Sequence, residues 1–438
     1  MNVPRGESEE STLGWSVAGG ILGGLLGGAG VVALTQALKL TLAAISSNAP
    51  WALIVAPLVG LSISVLLLYV IGQSDNSPKD FPRWLTFPAT ASRSDLTSDV
   101  VMSAGEEEHF SWWRMPLRAL AIYATVGLGA ALGTEAPAAY VGVAIGAWLG
   151  DRGHAWRRLL RPAAIAGGAS GVAALMGIPL MGAVFMLELG WRHRAPINRN
   201  RTLAALIGAF IGWGITRTLQ LTFIRLVVPK VPPDTIREAV LAALFVGALA
   251  GTITALTGTA IYKAKTWHAP PLFRLLIGAT GLAVTAIILV HVANPESAIG
   301  PGGNAIRWAE TTGASPFRLL AVSVLRACAT ISAASAGGCG GVFVPFMGIG
   351  DLAGRVFAPG FGIHTDLAGA AGAAAGISGG YRLPFTAIAM VLGVGGPHLA
   401  MFTCLATIAV AYGAAWSVEY VLDHVGARPY VPRRLEEP

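Results

Sequence analysis

Apolar residues occupy long blocks of this chain, separated by more polar connections, several of them short and rich in arginine. The blocks fall near 16–43, 51–72, 117–150, 163–190, 202–226, 239–265, 274–294, 317–336, 341–360, 366–395 and 399–422. A bilayer core of about 30 Å needs roughly 20 apolar residues per straight helix, and most blocks meet or exceed that. The pattern predicts an all-α polytopic membrane protein whose helices cross or partly cross the lipid. Proline and glycine also stand inside several blocks, notably at Gly133-Thr134-Glu135-Ala136-Pro137. Each such break removes intrahelical partners from backbone groups. Broken backbone at membrane depth is tolerated where protein covers it or where it lines a cavity. Half-helix N-termini facing such a centre would present amides and a positive dipole end to an anion. Gly300-Pro301-Gly302-Gly303-Asn304 and the polar run Arg93-Ser94-Asp95-Leu96-Thr97 offer further termini or ordinary loops.

The breaks recur. Gly133, Pro137, Gly142 and Gly146 align with Gly341, Pro345, Gly350 and Gly354 at one offset of 208, the step from 133 to 341. A second shared pattern follows in each half, Gly177-Ile178-Pro179-Leu180-Met181-Gly182-Ala183 and Arg382-Leu383-Pro384-Phe385-Thr386-Ala387-Ile388, each after a Gly/Ala-rich stretch. This order argues for a duplicated unit, a common plan for transporters. The expected layout is a polar N-terminal segment 1–15, a first membrane repeat 16–226, a linker 227–237, a second repeat 238–426 and a short tail 427–438.

Composition agrees with residence in lipid. Hydrophobic residues make up 54% of the chain and charged residues 12%, against about a quarter charged in soluble domains. The 56 glycines suit close helix approach. The N-terminal residues lack the basic start and small-residue cleavage site of a secretory signal, so they are expected to remain. Net charge is +7, and arginines cluster at 152–161, 192–201 and 428–434, which marks these connections as cytoplasmic. Scattered between apolar blocks, they form no nucleic-acid-binding face. Cys328, Cys339 and Cys404 show no disulfide or zinc spacing and read as packing residues. No close histidine ligand pair or phosphate loop occurs, so metalloprotease and P-loop ATPase readings lose support and no cofactor is expected. A carboxylate inside an apolar block costs about 2.5 to 3.5 kcal/mol at a helix centre, which makes Glu135 the leading functional candidate.

These residues resemble the CLC family of chloride channels and proton-coupled chloride transporters. Gly133-Thr134-Glu135-Ala136-Pro137 is similar to the family's Gly-Lys/Arg-Glu-Gly-Pro element, and Gly341-Val342-Phe343-Val344-Pro345 matches its Gly-x-Phe-x-Pro. Phe185-Met186-Leu187-Glu188 resembles its Phe-x-x-Glu, and Trp112-Trp113-Arg114 and Ser297 to Ile306 fall where relatives carry similar runs. The resemblance implies two inverted repeats with re-entrant helices and a homodimer with one pathway per subunit in the cell membrane. It also implies transport of chloride or another halide. Glu135 would be the gate, its ionised carboxylate mimicking the anion until protonation frees the path. Val342 and Phe343 would offer backbone amides to the anion, and Ser94 and Tyr430 are counterparts of further anion ligands. Glu188 would be a structural acid, paired with an arginine such as Arg326, or lie on a proton path.

The chain also departs from the family pattern. The Gly-Ser-Gly-Ile-Pro signature is missing, Thr134 replaces the basic residue before the glutamate, and Ala136 replaces the glycine after it. Leu189 stands where proton-coupled members often carry a second acid. Proton exchange, a passive anion channel and a fluoride-selective relative therefore remain alternatives. A transport-dead scaffold and an intramembrane hydrolase are disfavoured, the first by the broken-helix motifs and the second for want of a paired nucleophile and base.

Overall fold

The computed structural model describes residues 9–47, 51–73, 112–153, 156–192, 195, 197–223, 232–267 and 269–424. Sixteen α-helices occur among them, with no strand beyond one isolated bridge. In chain order the first eight are α1 (Glu9–Ser46), α2 (Ala52–Gln73), α3 (Met115–Ile122), α4 (Glu135–Gly150), α5 (Leu160–Met176), α6 (Pro179–Arg192), α7 (Arg199–Thr218) and α8 (Ile236–Thr266). Then follow α9 (Pro271–Val292), α10 (Gly303–Thr312), α11 (Pro316–Ser335), α12 (Phe343–Arg355), α13 (Ala358–Phe361), α14 (Thr365–Gly376), α15 (Pro384–Val394) and α16 (His398–His424). Among the described residues, six spans are long and apolar enough to cross a membrane: Leu13–Ser46, Arg157–Met176, Ile236–Lys265, Pro271–Val292, Pro316–Ser335 and His398–Leu422.

Several apolar blocks are not single spans. The block at 117–150 divides into α3, a π-helical turn at Tyr123–Gly127, a glycine-rich crossing and α4. The block at 366–395 divides into α14, a second π-helical turn at Ile377–Tyr381, and α15. With 16 and 13 residues, α4 and α12 are shorter than the bilayer core, at about 1.5 Å of rise per residue.

Two compact units result. Among the described residues, the first takes in 9–36, 112–116 and 135–223, and the second 37–73, 117–134 and 232–424. In the first, α4 lies against α5 with no room for side chains between them: a Cβ on Gly142 would overlap the carbonyl of Gly167, and one on Gly146 that of Ala163. In the second, α12 lies against α14 in the same way, Gly350 on Gly372 and Gly354 on Ala368. The turn after each pair is also alike. Gly177 caps α5 at φ 69°, and Arg382, before α15, holds the left-handed φ of 61° without being glycine. Apolar burial gives little drive between helices already in lipid, so this backbone contact supplies the packing instead. Hydroxyls in the long helices bond back along them, as Thr254 does to the Ala250 carbonyl at 2.6 Å and Thr407 to that of Thr403 at 2.7 Å.

Candidate functional site

The segment leading to Glu135 is held by its own backbone. Gly129 donates to the Val126 carbonyl and Ala130 to that of Thr125, each at 3.0 Å, with Gly129 at φ 96°. The segment leading to Phe343 repeats this turn at the same offset of 208, the step from 129 to 337. Gly337, at φ 90°, donates to Ala334 at 3.2 Å, and Gly338 to Ala333 at 3.0 Å. Only glycine adopts such φ values without strain. The two segments then meet, as Gly133 and Gly341 exchange N–H to carbonyl bonds of 2.7 Å in both directions, an antiparallel bridge. Two side bonds brace the crossing: Cys339 N–H donates to Thr125 Oγ1 at 3.0 Å, and Gly300 N–H to the Gly129 carbonyl at 2.8 Å.

A helix starts two residues beyond each bridged glycine. In the second unit α12 begins at Phe343, with Val342 at φ −120° and ψ 2° as its N-cap residue and no side chain capping it. Phe343 is fully buried, and its ring lies edge-on to that of Tyr381, 6.0 Å away. Tyr381 also meets Phe346 at 6.3 Å. In the first unit Glu135 is the first residue of α4 and is completely buried. The opening turn of a helix points amide donors out of its end and carries partial positive charge, so a carboxylate or an anion is favoured there. Thr134 and Val342, which match at the same sequence offset, are half-buried between fully buried neighbours.

The other candidates have separate fates. Glu188 lies on α6, 4% exposed, and Leu189 beside it is 3% exposed. Arg326, expected to pair with a carboxylate, instead donates to backbone carbonyls: Ser297 at 3.3 Å, Ala298 at 3.5 Å and Gly300. The loop at 297–302 turns through Gly300 at φ 71° and Gly302 at φ 124°, leaving carbonyls that no helix satisfies, and the guanidinium takes them. The glycine-rich break at 300–304 does open a helix, α10. Ser94 and Tyr430 lie outside the described residues. Cys339 and Cys404 are buried, whereas Cys328 is exposed.

Three features escaped sequence reasoning. Tyr381 gave no signal, because its nearness to Phe343 depends on a π-helical turn. Thr125 gave none either, since its contact with Cys339 crosses between the halves. The match of Gly129 to Gly337 was visible at the repeat offset and extends it.

A family profile described as "Voltage gated chloride channel" matches residues 85–415. Among curated proteins, the H(+)/Cl(-) exchange transporter ClcA of Yersinia pestis bv. Antiqua (strain Angola) is 26% identical over 301 residues, covering 64% of this chain and 61% of that protein. The protein of that name from Citrobacter koseri is 25% identical over 392 residues, covering 85% and 78%. The chain thus aligns with about three fifths of the length of the Yersinia relative. Among solved structures, a CLC-type fluoride/proton antiporter has a TM-score of 0.71 at 20% identity, covering 93% of this chain and 96% of that one. A slow cyanobacterial Cl-/H+ antiporter has a TM-score of 0.66 at 19% identity, covering 98% and 99%. These structures share the fold. The chain is a multi-pass integral membrane protein. A profile match over well over half of its 438 residues, on a matching fold, places it in the voltage-gated chloride channel family.

Proposed function

We propose that this chain carries chloride or a similar small anion across the cell membrane, with Glu135 as its gate. One observation carries the reading: a fully buried carboxylate opens α4 two residues after the bridged glycine, at the position that matches Phe343 at the offset of 208. An acid there stands where an anion would be favoured, and it loses its charge on protonation. Val342 and Phe343 then offer amides to the anion, with Ser94 and Tyr430 as further ligands. The curated relatives, whose names describe H(+)/Cl(-) exchange, support the anion. The reciprocal glycine bridge and the duplicated helix pairs support two inverted repeats, 16–226 and 238–426, joined by 227–237. A homodimer with a pathway in each subunit completes the proposal, and translocation requires no chemical change of the substrate.

A second reading has its own observation. Leu189 is apolar and buried beside Glu188, which favours a passive channel or a proton route that avoids this position. A pH gradient that drives uphill chloride uptake in sealed liposomes would decide for exchange, and competition between fluoride and chloride would settle the preferred halide.

Chloride efflux from liposomes tests the gate. In Glu135→Gln the pH dependence of flux is expected to flatten, with flux at neutral pH at or above the parent's. A variant that keeps the parent's pH profile would remove Glu135 from the gate.

A further inference from the structure

Arg326 lies on α11, 2% exposed, and among the described residues its hydrogen bonds go to backbone carbonyls. A guanidinium buried at membrane depth is costly and needs a reason. A structural need for three carbonyl partners explains part of it, since the loop at 297–302 has left-handed turns and leaves carbonyls unclaimed. The contact does not end there. Gly300 offers its carbonyl to Arg326 and its own N–H to the Gly129 carbonyl. Gly129 in turn begins the crossing that passes through the bridged Gly133 into Glu135. The positive φ values of Gly129 and Gly300 let each peptide face both neighbours.

We propose that Arg326 is a positioning residue for the Glu135 gate, acting through the Gly300 loop and the Gly129 turn. The inference rests on the gate reading above. Arginine suits the role because its rigid planar fork spreads five donors over three nitrogens and can span several separated carbonyls, whereas the three donors of lysine radiate from a single nitrogen on a flexible stem. Loosening the loop frees the Gly129 carbonyl and with it the register of the segment ending in Glu135. Placement matters at this scale, since a shift of about 1 Å in a positioned functional group can cost on the order of 10²-fold in rate. A merely structural Arg326 would lower the yield of folded protein and leave the gate's response to pH unchanged.

The experiment measures chloride flux from liposomes at low and at neutral pH, per monodisperse protein reconstituted, and takes the ratio. Arg326→Lys and Arg326→Gln are both expected to lower this ratio about tenfold, the factor carried by one charge-assisted hydrogen bond. In a Glu135→Gln background, itself without pH dependence, neither is expected to change it. If both Arg326 variants keep the parent's ratio in their folded fraction while Glu135→Gln flattens it, Arg326 is structural only and the proposal falls with the gate intact. A ratio that Arg326→Lys alters in the Glu135→Gln background would also overturn it, since the effect would not pass through Glu135. Should Glu135→Gln itself retain the parent's ratio, the gate reading fails first.

Discussion

Asp351 and Asp366 are acids in or beside apolar blocks, and their sequence neighbourhoods suggest only helix ends. They meet at one guanidinium instead. Arg355, 2% exposed, lies 2.6 Å from Asp351 one turn earlier on α12, 2.7 Å from Asp366 at the start of α14 and 3.5 Å from Glu310 on α10. Gly369 makes the space, since a Cβ there would come within 2.7 Å of both Arg355 Nε and Asp351 Oδ2. Burial decides which acid matters. Asp351→Asn is expected to destabilise the protein by about 3 kcal/mol, because it strips a partner from a buried charge. Asp366→Asn, at 44% exposure, is expected to cost under about 1 kcal/mol. Thermal unfolding in detergent compares them, and equal losses would show that water screens neither pair differently. The i,i+4 spacing of Asp351 and Arg355 is legible in the sequence. The arrival of Asp366 and Glu310 is not, because it requires three helices to be placed first.

At the scale of elements, glycine marks where helices touch backbone to backbone. Gly142 and Gly350 match at the offset of 208, and each faces a carbonyl across a helix pair. Gly142→Ala and Gly350→Ala are each expected to lose about 1 to 3 kcal/mol through overpacking. Gly413→Ala on α16, where nothing lies within 4 Å, is expected to be neutral or gain up to about 1 kcal/mol from helix propensity. Melting the three variants side by side checks this, and a loss at Gly413 as large as at Gly142 would contradict it. Helix breaks at proline and glycine are readable from the chain, and α4, α6, α12 and α15 all begin where such residues stand. The π-helical turns are not readable, because Tyr123–Gly127 and Ile377–Tyr381 look like ordinary helix. They arise where packing around a crossing makes one extra residue per turn the better fit.

For the whole molecule, arginine clusters set the orientation in the bilayer. Those at 152–161 and 192–201 are expected on the cytoplasmic side. Single cysteines at Arg157 and Arg199, in a background lacking Cys328, Cys339 and Cys404, are expected to react with an impermeant thiol reagent only from the cytoplasmic side. Labelling of either from outside would overturn that orientation. The order of residues alone establishes membrane residence, because twenty-residue apolar blocks have no other stable home. It also carries the landmarks on which the proposed duplication rests, since Gly133, Pro137, Gly142 and Gly146 recur at one offset as Gly341, Pro345, Gly350 and Gly354. Glu135 stands out too, as an acid that lipid makes expensive. Only the folded chain decides that Gly133 and Gly341 hydrogen-bond to each other, that Arg326 serves carbonyls, and that Arg355 gathers three acids. Each of these joins residues far apart in the sequence, and their partners are chosen by helix placement, which no local pattern encodes.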